Sequence, residues 1–413
     1  MAESYPSQAQ VLSAIARWRS HGAGDEFPDD LLVSRIRGVG KHFLDPGVLT
    51  ALDSARDLLS GPGFLADFLD VVLDKYDGRY DYPSYTALPL LAPGPELAGD
   101  ALRAYRDRTV ALLMADLVRF EDAASQGSGG NPSGMRPGGQ LADKRRRLAT
   151  RVMAPPAYRT LDAAGPHDLV RAAPAVADPG PLADAVLGSA EPAELRKLTA
   201  SLLPVYTLHD EYLFLRTLQA FEVTFWAMAG TLTEAIETLC GEHPAAAAPL
   251  IARVADVLAE SLPLFSLLAT MQPEAFQVFR QFTDGASAIQ SEGYKTFESV
   301  CSTPALERLN APAFTSVPRV RAKVLAGRPT TEGTWEDVVS TGWLDETGAV
   351  AVREAARSLE STHQRWKQTH FRLAVRMIGS RTGTGSTEGV PYLESVLKNR
   401  LFRTLNEPVT AAV

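Results

Sequence analysis

Apolar residues recur three, four or seven positions apart through most of this chain, while strict alternation of apolar and polar residues is sparse. That pattern predicts an all-α fold, a helix bundle rather than a sheet. Between residues 1 and 80 the segments VLSAIARW, VLTALDSARDLL and GFLADFLDVVLDKYD each carry the helical period. Asp45-Pro46 and Gly61-Pro62-Gly63 separate them as turns. Residues 97–126 predict a stronger helix, which runs into SQGSGGNPSGMRPGG, a Gly/Ser/Pro-rich stretch expected to be a mobile loop. From Ala154 to Pro192 alanine and proline dominate, so short helices and turns are expected. A long helical pattern resumes at residue 205, with Leu213, Phe214, Leu218, Phe221, Phe225 and Met228 on one face, the usual look of plain core. Residues 243–270 predict one more apolar helix, and Thr331 to Ala349 a loop with short structure.

The last long helix carries Ala355, Leu359, Trp366, His370, Leu373, Ala374 and Met377 at helical spacing, which turns His370 inward. An inward histidine is either a hydrogen-bonded core residue or a ligand, and the spacing leaves both open. The stretch after it is rich in glycine and hydroxyls: Gly383, Gly385 and Gly389 with Ser380, Thr382, Thr384, Ser386 and Thr387. A dinucleotide-binding turn needs a strand before its glycines and a different spacing, so a phosphate cradle is rejected. What remains is an imidazole beside a turn able to close over a ligand.

Composition narrows the classes. The 413 residues allow two or three domains, and 45% hydrophobic with 22% charged residues is ordinary for a globular chain. A net charge of −8 argues against a nucleic-acid partner. The two cysteines, Cys240 and Cys301, are too few for a disulfide framework or a thiolate metal cluster. MAESYPSQAQ lacks a basic region followed by an apolar run, and no run of apolar residues is long enough to span a bilayer. A reduced, cytoplasmic protein is expected.

Four polar features invite chemistry. His209-Asp210-Glu211 suggests a metal site, but adjacent residues on a helix diverge, which favours capping. The run Lys144 to Arg147 reads as a solvated helix face more readily than as an anion patch. Arg280 sits among Phe276, Phe279 and Phe282, where it either snorkels outward or waits buried for a carboxylate. Tyr80, Tyr82 and Tyr85 cluster near Pro83, as a turn with aromatic anchors or as a segment reaching a partner.

Taken together, three segments resemble the tryptophan 2,3-dioxygenase family of histidine-ligated haem oxygenases. HDEYLFLRTLQAFE is similar to the family's HDExLFI…HQxxE, FRQFTDGASAIQSEGYK to FRxxLGxxSGFQSxQYR, and WKQTHFRLAVRMIGSRTGTGS to WxxxHxxxVxRxIGxxxGTGG. With the YDYPSY segment, the resemblance covers a little over half the chain. It implies a helix bundle enclosing a b-type haem: residues 1–80 as a helical extension, 81–92 as a segment contacting a neighbouring subunit, 93–204 as an inserted segment, and 205–405 as the haem-binding core. It also implies His370 as the axial iron ligand, with Arg376 as a second cofactor-binding residue, and O2 as co-substrate on the open face. Arg280 would grip the carboxylate of an aromatic amino acid, and Thr384 would meet its ammonium or carboxylate. Phe214, Phe276, Tyr82 and Tyr85 would line the ring, and Ser287 would lie near the distal face. A homo-oligomer, dimer or tetramer, follows from the same likeness.

Three departures bear on chemistry. Leu218 stands where the family has a distal histidine; Thr283 replaces a leucine and SGFQS has become SAIQS, with Ala288 and Ile289; and the N-terminal and 93–200 additions have no counterpart in compact family members. The pocket changes at Thr283, Ala288 and Ile289 alter discrimination by roughly 1–3 kcal/mol per group. Oxidation of the indole ring of tryptophan or a substituted tryptophan is the expected reaction. Hydroxylation of a tryptophan or tyrosine derivative in specialised metabolism, or a non-catalytic haem protein, are the alternatives. An all-α interaction protein without cofactor is the plainest reading.

Overall fold

The computed structural model describes residues 5–20, 26–127, 132–161, 168, 170, 178–283, 285–379, 381–383 and 388–405. Among these the fold is all-α, as expected, and the β pairing is an isolated bridge between Gly134 and Leu208. The helices that position the candidate residues are α1 (Tyr82–Tyr85), α2 (Gly99–Ser125), α3 (Gly139–Thr160), α4 (His209–Cys240), α5 (Ala247–Ser261), α6 (Pro273–Phe279), α7 (Glu292–Cys301), α8 (Thr331–Ser340), α9 (Glu346–Ile378) and α10 (Val390–Val396). The chain forms two compact units. One comprises Met1–Ala92, Asp107–Ala220 and Ser266–Ala288, the other Pro93–Arg106, Phe221–Phe265 and Ile289–Val413. Both α2 and α4 contribute residues to each unit. No single described helix is long and apolar enough to cross a membrane.

In the first unit the N-terminal segment folds as Gln8–Ser20, Asp29–Val39, Pro46–Arg56 and Phe64–Val72. Three of these are the periodic segments of the sequence. Their apolar faces meet in one core that includes Ile15, Trp18, Ile36, Leu52, Phe68 and Leu203. The basic run on α3 is a correction to the solvated-face expectation. Lys144 and Arg147 are exposed, but Arg145 is fully buried, on the inward line of Ala142 and Ala149. Its guanidinium pairs with Glu121 at 3.2 Å and Asp210 at 2.8 Å, and donates to the Thr270 carbonyl at 3.0 Å. A buried cation needs such partners, because its desolvation is otherwise uncompensated. Part of the Gly/Ser/Pro-rich loop and residues 162–167, 169 and 171–177 lie outside the described residues. In the rest of 154–192 the chain finishes α3 at Thr160 and forms a short helix at Gly180–Gly188.

In the second unit α5 packs along α9. The single helix expected over 243–270 is broken: α5 ends at Ser261 and a new helix runs Pro263–Leu268. Pro263 brings no N–H and its ring collides with the preceding turn, so it can start a helix but not continue one. The stretch expected as a loop from Thr331 is helix α8. The Thr330 hydroxyl accepts the Gly333 N–H at 3.1 Å, a side-chain cap that offsets the helix's sparse apolar pattern.

Candidate functional site

The first unit gathers Tyr82, Tyr85, Phe214, Leu218, Phe276, Arg280, Thr283 and Ser287; the second holds His370 and Arg376. Thr384 lies outside the described residues.

On α4, nearly every side chain from His209 to Phe225 is buried; Phe214 and Leu218, one turn apart, are half-exposed. The ring of Phe214 lies 5.8 Å from Phe276, 5.4 Å from Phe279 and 6.4 Å from Tyr85. Phe279, fully buried, is the shared wall of this aromatic cluster; in the sequence it reads as a neighbour of Arg280 and not as pocket lining. α6 then tightens into a short 3-10 turn over Arg280–Phe282, and the Thr283 hydroxyl donates to the Arg280 carbonyl at 3.0 Å. Arg280 heads that turn half-buried, intermediate between the snorkelling and the fully buried readings. Thr283 is buried, and Ser287, past the left-handed Gly285, is half-buried.

The tyrosine segment packs inside its own unit. Asp81 caps α1 by accepting the Ser84 N–H at 3.0 Å, and Tyr82 and Tyr85 are 3% and 2% exposed. The Tyr85 hydroxyl reaches Glu211 at 3.4 Å. Glu211 also accepts the N–H groups of Val205 at 2.7 Å and Tyr206 at 3.0 Å, and burial pushes its carboxyl up to about 8. Its neighbour Asp210 accepts the N–H of Gln272, the residue before α6, at 2.6 Å. His209 stacks on Phe120 and sits 3.2 Å from Glu121. The three adjacent polar residues therefore diverge into capping and pairing, and no group of metal-ligating side chains occurs among the described residues.

Beside Leu218, Gln219 is fully buried and committed. Its amide donates to the carbonyls of Thr86 at 2.9 Å and Ser201 at 2.8 Å and accepts from Arg216 at 2.9 Å. It is not available as a substitute for a histidine at 218.

In the second unit α9 carries His363, Trp366 and His370 along one face. Trp366 stacks on Tyr294 at 5.5 Å and meets Phe221, Phe225 and Phe265 edge-on. The His370 ring stacks 5.8 Å from Phe265 and lies 5.5 Å from Trp366. Desolvation lowers its pKa to about 4, so the imidazole is neutral near pH 7. Neither of its nitrogens is hydrogen-bonded to a described residue, and the side chain is half-buried. His363 differs: its Nε2 is 2.8 Å from the Tyr294 hydroxyl. A neutral imidazole with a nitrogen bonded to no described residue, against the rings of Phe265 and Trp366, has the donor chemistry of an axial haem ligand. Arg376 is exposed on the last turn, about 120° round the helix from His370 by the helical period.

His363 is 3% exposed, and burial lowers its pKa to about 3. Because the folded value lies below that of a free imidazole, its stabilising contribution is full above about pH 6.5 and fades as pH falls towards 3. That one proton gives a slope of at most about 1.4 kcal/mol per pH unit. Urea unfolding of wild type and His363→Gln from about pH 7 to about pH 5 checks it. The variant should show the shallower dependence; equal slopes would refute it.

No family model matches the chain. It is similar to curated proteins named tryptophan 2,3-dioxygenase. The Bacillus anthracis protein is 29% identical over 231 residues, 48% of this chain and 82% of the relative. That of Erythrobacter litoralis is 26% identical over 251 residues, 53% and 95% of the two. That of Polaromonas naphthalenivorans is 27% identical over 232 residues, 48% and 82%.

Proposed function

We propose that this chain is a haem-dependent oxygenase that uses O2 to oxidise the indole ring of tryptophan or a substituted tryptophan, as a 2,3-dioxygenase does. The observation that carries the reading is His370, a neutral imidazole whose nitrogens bond to no described residue and whose ring closes an aromatic stack. Likeness to three named dioxygenases supports the reaction class. His370 would hold the iron of a b-type haem. Arg376 and Thr384 keep the roles the resemblance implies, in cofactor and substrate binding. A bound haem supplies the redox chemistry that activates O2.

The remaining work belongs to the chain. Arg280 binds the substrate carboxylate through its planar fork, which fixes the ring relative to the amino-acid end. Phe214 and Phe276 offer flat apolar surface to the indole and exclude water from it. Tyr82 and Tyr85 support that surface, and Thr283 and Ser287 tune the fit around the ring. Leu218 provides apolar contact and holds no proton. A homo-oligomer belongs to the same proposal.

One observation favours a second reading. With Leu218 apolar and Gln219 committed, these two positions of α4 offer no group able to take the indole proton. Such a site suits insertion of one oxygen, a hydroxylation of a tryptophan or tyrosine derivative in which the second oxygen leaves as water with two electrons from an external reductant. Mass spectrometry after incubating the ferrous, haem-loaded protein in air with tryptophan or tyrosine, with and without a two-electron donor such as ascorbate, separates the two. A product heavier by two oxygen atoms is expected, and one heavier by a single atom supports the second reading. Tryptophan, its ring-substituted analogues and tyrosine left untouched under both conditions would sink both.

A further inference from the structure

A second stripe runs along α9 beside the aromatic one. Glu360, Gln364 and Lys367 fall four and three residues apart, hence on one face. Glu360 and Lys367 are 4% and 7% exposed, and neither faces water. All three side chains bond the backbone between Val396, the last residue of α10, and Phe402. Lys367 Nζ donates to the carbonyls of Leu397 at 2.9 Å, Val396 at 3.3 Å and Asn399. Gln364 donates to Asn399 O at 3.2 Å and to Glu360 at 2.8 Å. One Glu360 oxygen accepts the N–H groups of Leu401 at 2.7 Å and Phe402 at 3.1 Å. From α8, one oxygen of Glu332, 6% exposed, accepts three successive N–H groups, those of Arg403 at 2.6 Å, Thr404 at 2.7 Å and Leu405 at 3.2 Å.

Successive backbone N–H groups converging on one oxygen form an anion nest, and a lysine on the last carbonyls of a helix caps it. Leu401, Phe402 and Leu405, all at most 1% exposed, already anchor this segment by apolar burial. Burying three charges as well is a costly way to add stability, since apolar groups of similar size do as well or better. What charged, directional clamps add is a fixed position.

We infer that Glu332, Glu360, Gln364 and Lys367 form a latch that ties residues 396–405 to α8 and α9 and so fixes α10, which packs against the His370-bearing α9, for substrate binding. These are positioning residues, distinct from the groups assigned to haem and substrate. The inference rests on the proposed function for its consequence and on the contacts within the second unit for its geometry.

Trypsin and a spectral titration test it together. Lys398, Arg400 and Arg403 are exposed cleavage sites within the latched segment, so their cutting reports release of its backbone. In the full-length holoprotein, Lys367→Met is expected to be cut about tenfold faster there and to bind L-tryptophan about tenfold more weakly, with unchanged haem loading. Lys367→Arg should restore both, because its fork donates to the same carbonyls. Cutting at the wild-type rate would overturn the latch. Faster cutting with unchanged tryptophan binding, or loss of haem from the variant, would reduce it to a fold support. Should Lys367→Met fail to fold, Glu332→Gln carries the same two measurements, since it keeps an acceptor oxygen but loses the charge. A wild-type chain that takes up no haem refutes the proposed function alone, and the trypsin comparison then decides the latch.

Discussion

Replacing His370 by alanine is expected to abolish haem uptake while leaving the helical fold intact. The side chain is half-buried and bonded to no described residue, so its removal leaves no buried partner unsatisfied. What is lost is a ligand already prepared for iron, because desolvation holds the imidazole neutral well below pH 7. Absorbance of the reconstituted variant checks it, with far-ultraviolet circular dichroism as the control for folding. The Soret band should disappear and the helical signal remain. His363→Gln is the matched control: its imidazole is engaged by Tyr294, so this variant should load haem normally. A full Soret band in His370→Ala would refute the assignment.

The second large effect is expected at Arg280. Leucine there keeps apolar packing and removes the charged fork, so a bound amino-acid carboxylate loses its charge-assisted partner. A loss of roughly 2–3 kcal/mol, on the order of a hundredfold in substrate affinity, is expected. Arg280→Lys should recover only part of it, because a point charge cannot replace bidentate geometry. Tryptophan titrations followed by the haem spectrum check both variants. An unchanged dissociation constant in Arg280→Leu would remove Arg280 from the site, and a variant that no longer loads haem would make it structural.

The parts of this molecule legible in sequence were those governed by local periodicity. The inward line of Trp366, His370 and Met377 follows from helical spacing alone, and so does the face carrying Phe214, Leu218 and Phe225. Spacing does not report which inward positions stay half-exposed, and that distinguishes Phe214 and Leu218 from Phe221 and Phe225. Charged residues were the least legible. Arg145 lies in a run of four basic residues, and its partners Glu121, Asp210 and Thr270 are far away in the chain. Glu332, Glu360 and Lys367 resemble solvated helix charges because their partners are backbone groups, which carry no sequence signature. Helix α8 was missed because a single capping threonine sustains it with few apolar residues. The spacing of Glu360, Gln364 and Lys367, parallel to the aromatic stripe, was the available hint of a second buried face.

The measurement that bears most directly on the central claim is the visible spectrum of the full-length, haem-reconstituted protein, titrated with L-tryptophan and then with other aromatic amino acids. A haem-dependent oxygenase of this kind shows a stoichiometric Soret band that shifts saturably with tryptophan or a substituted tryptophan. A chain that takes up no haem, or a bound haem whose spectrum is blind to every aromatic amino acid, would contradict it.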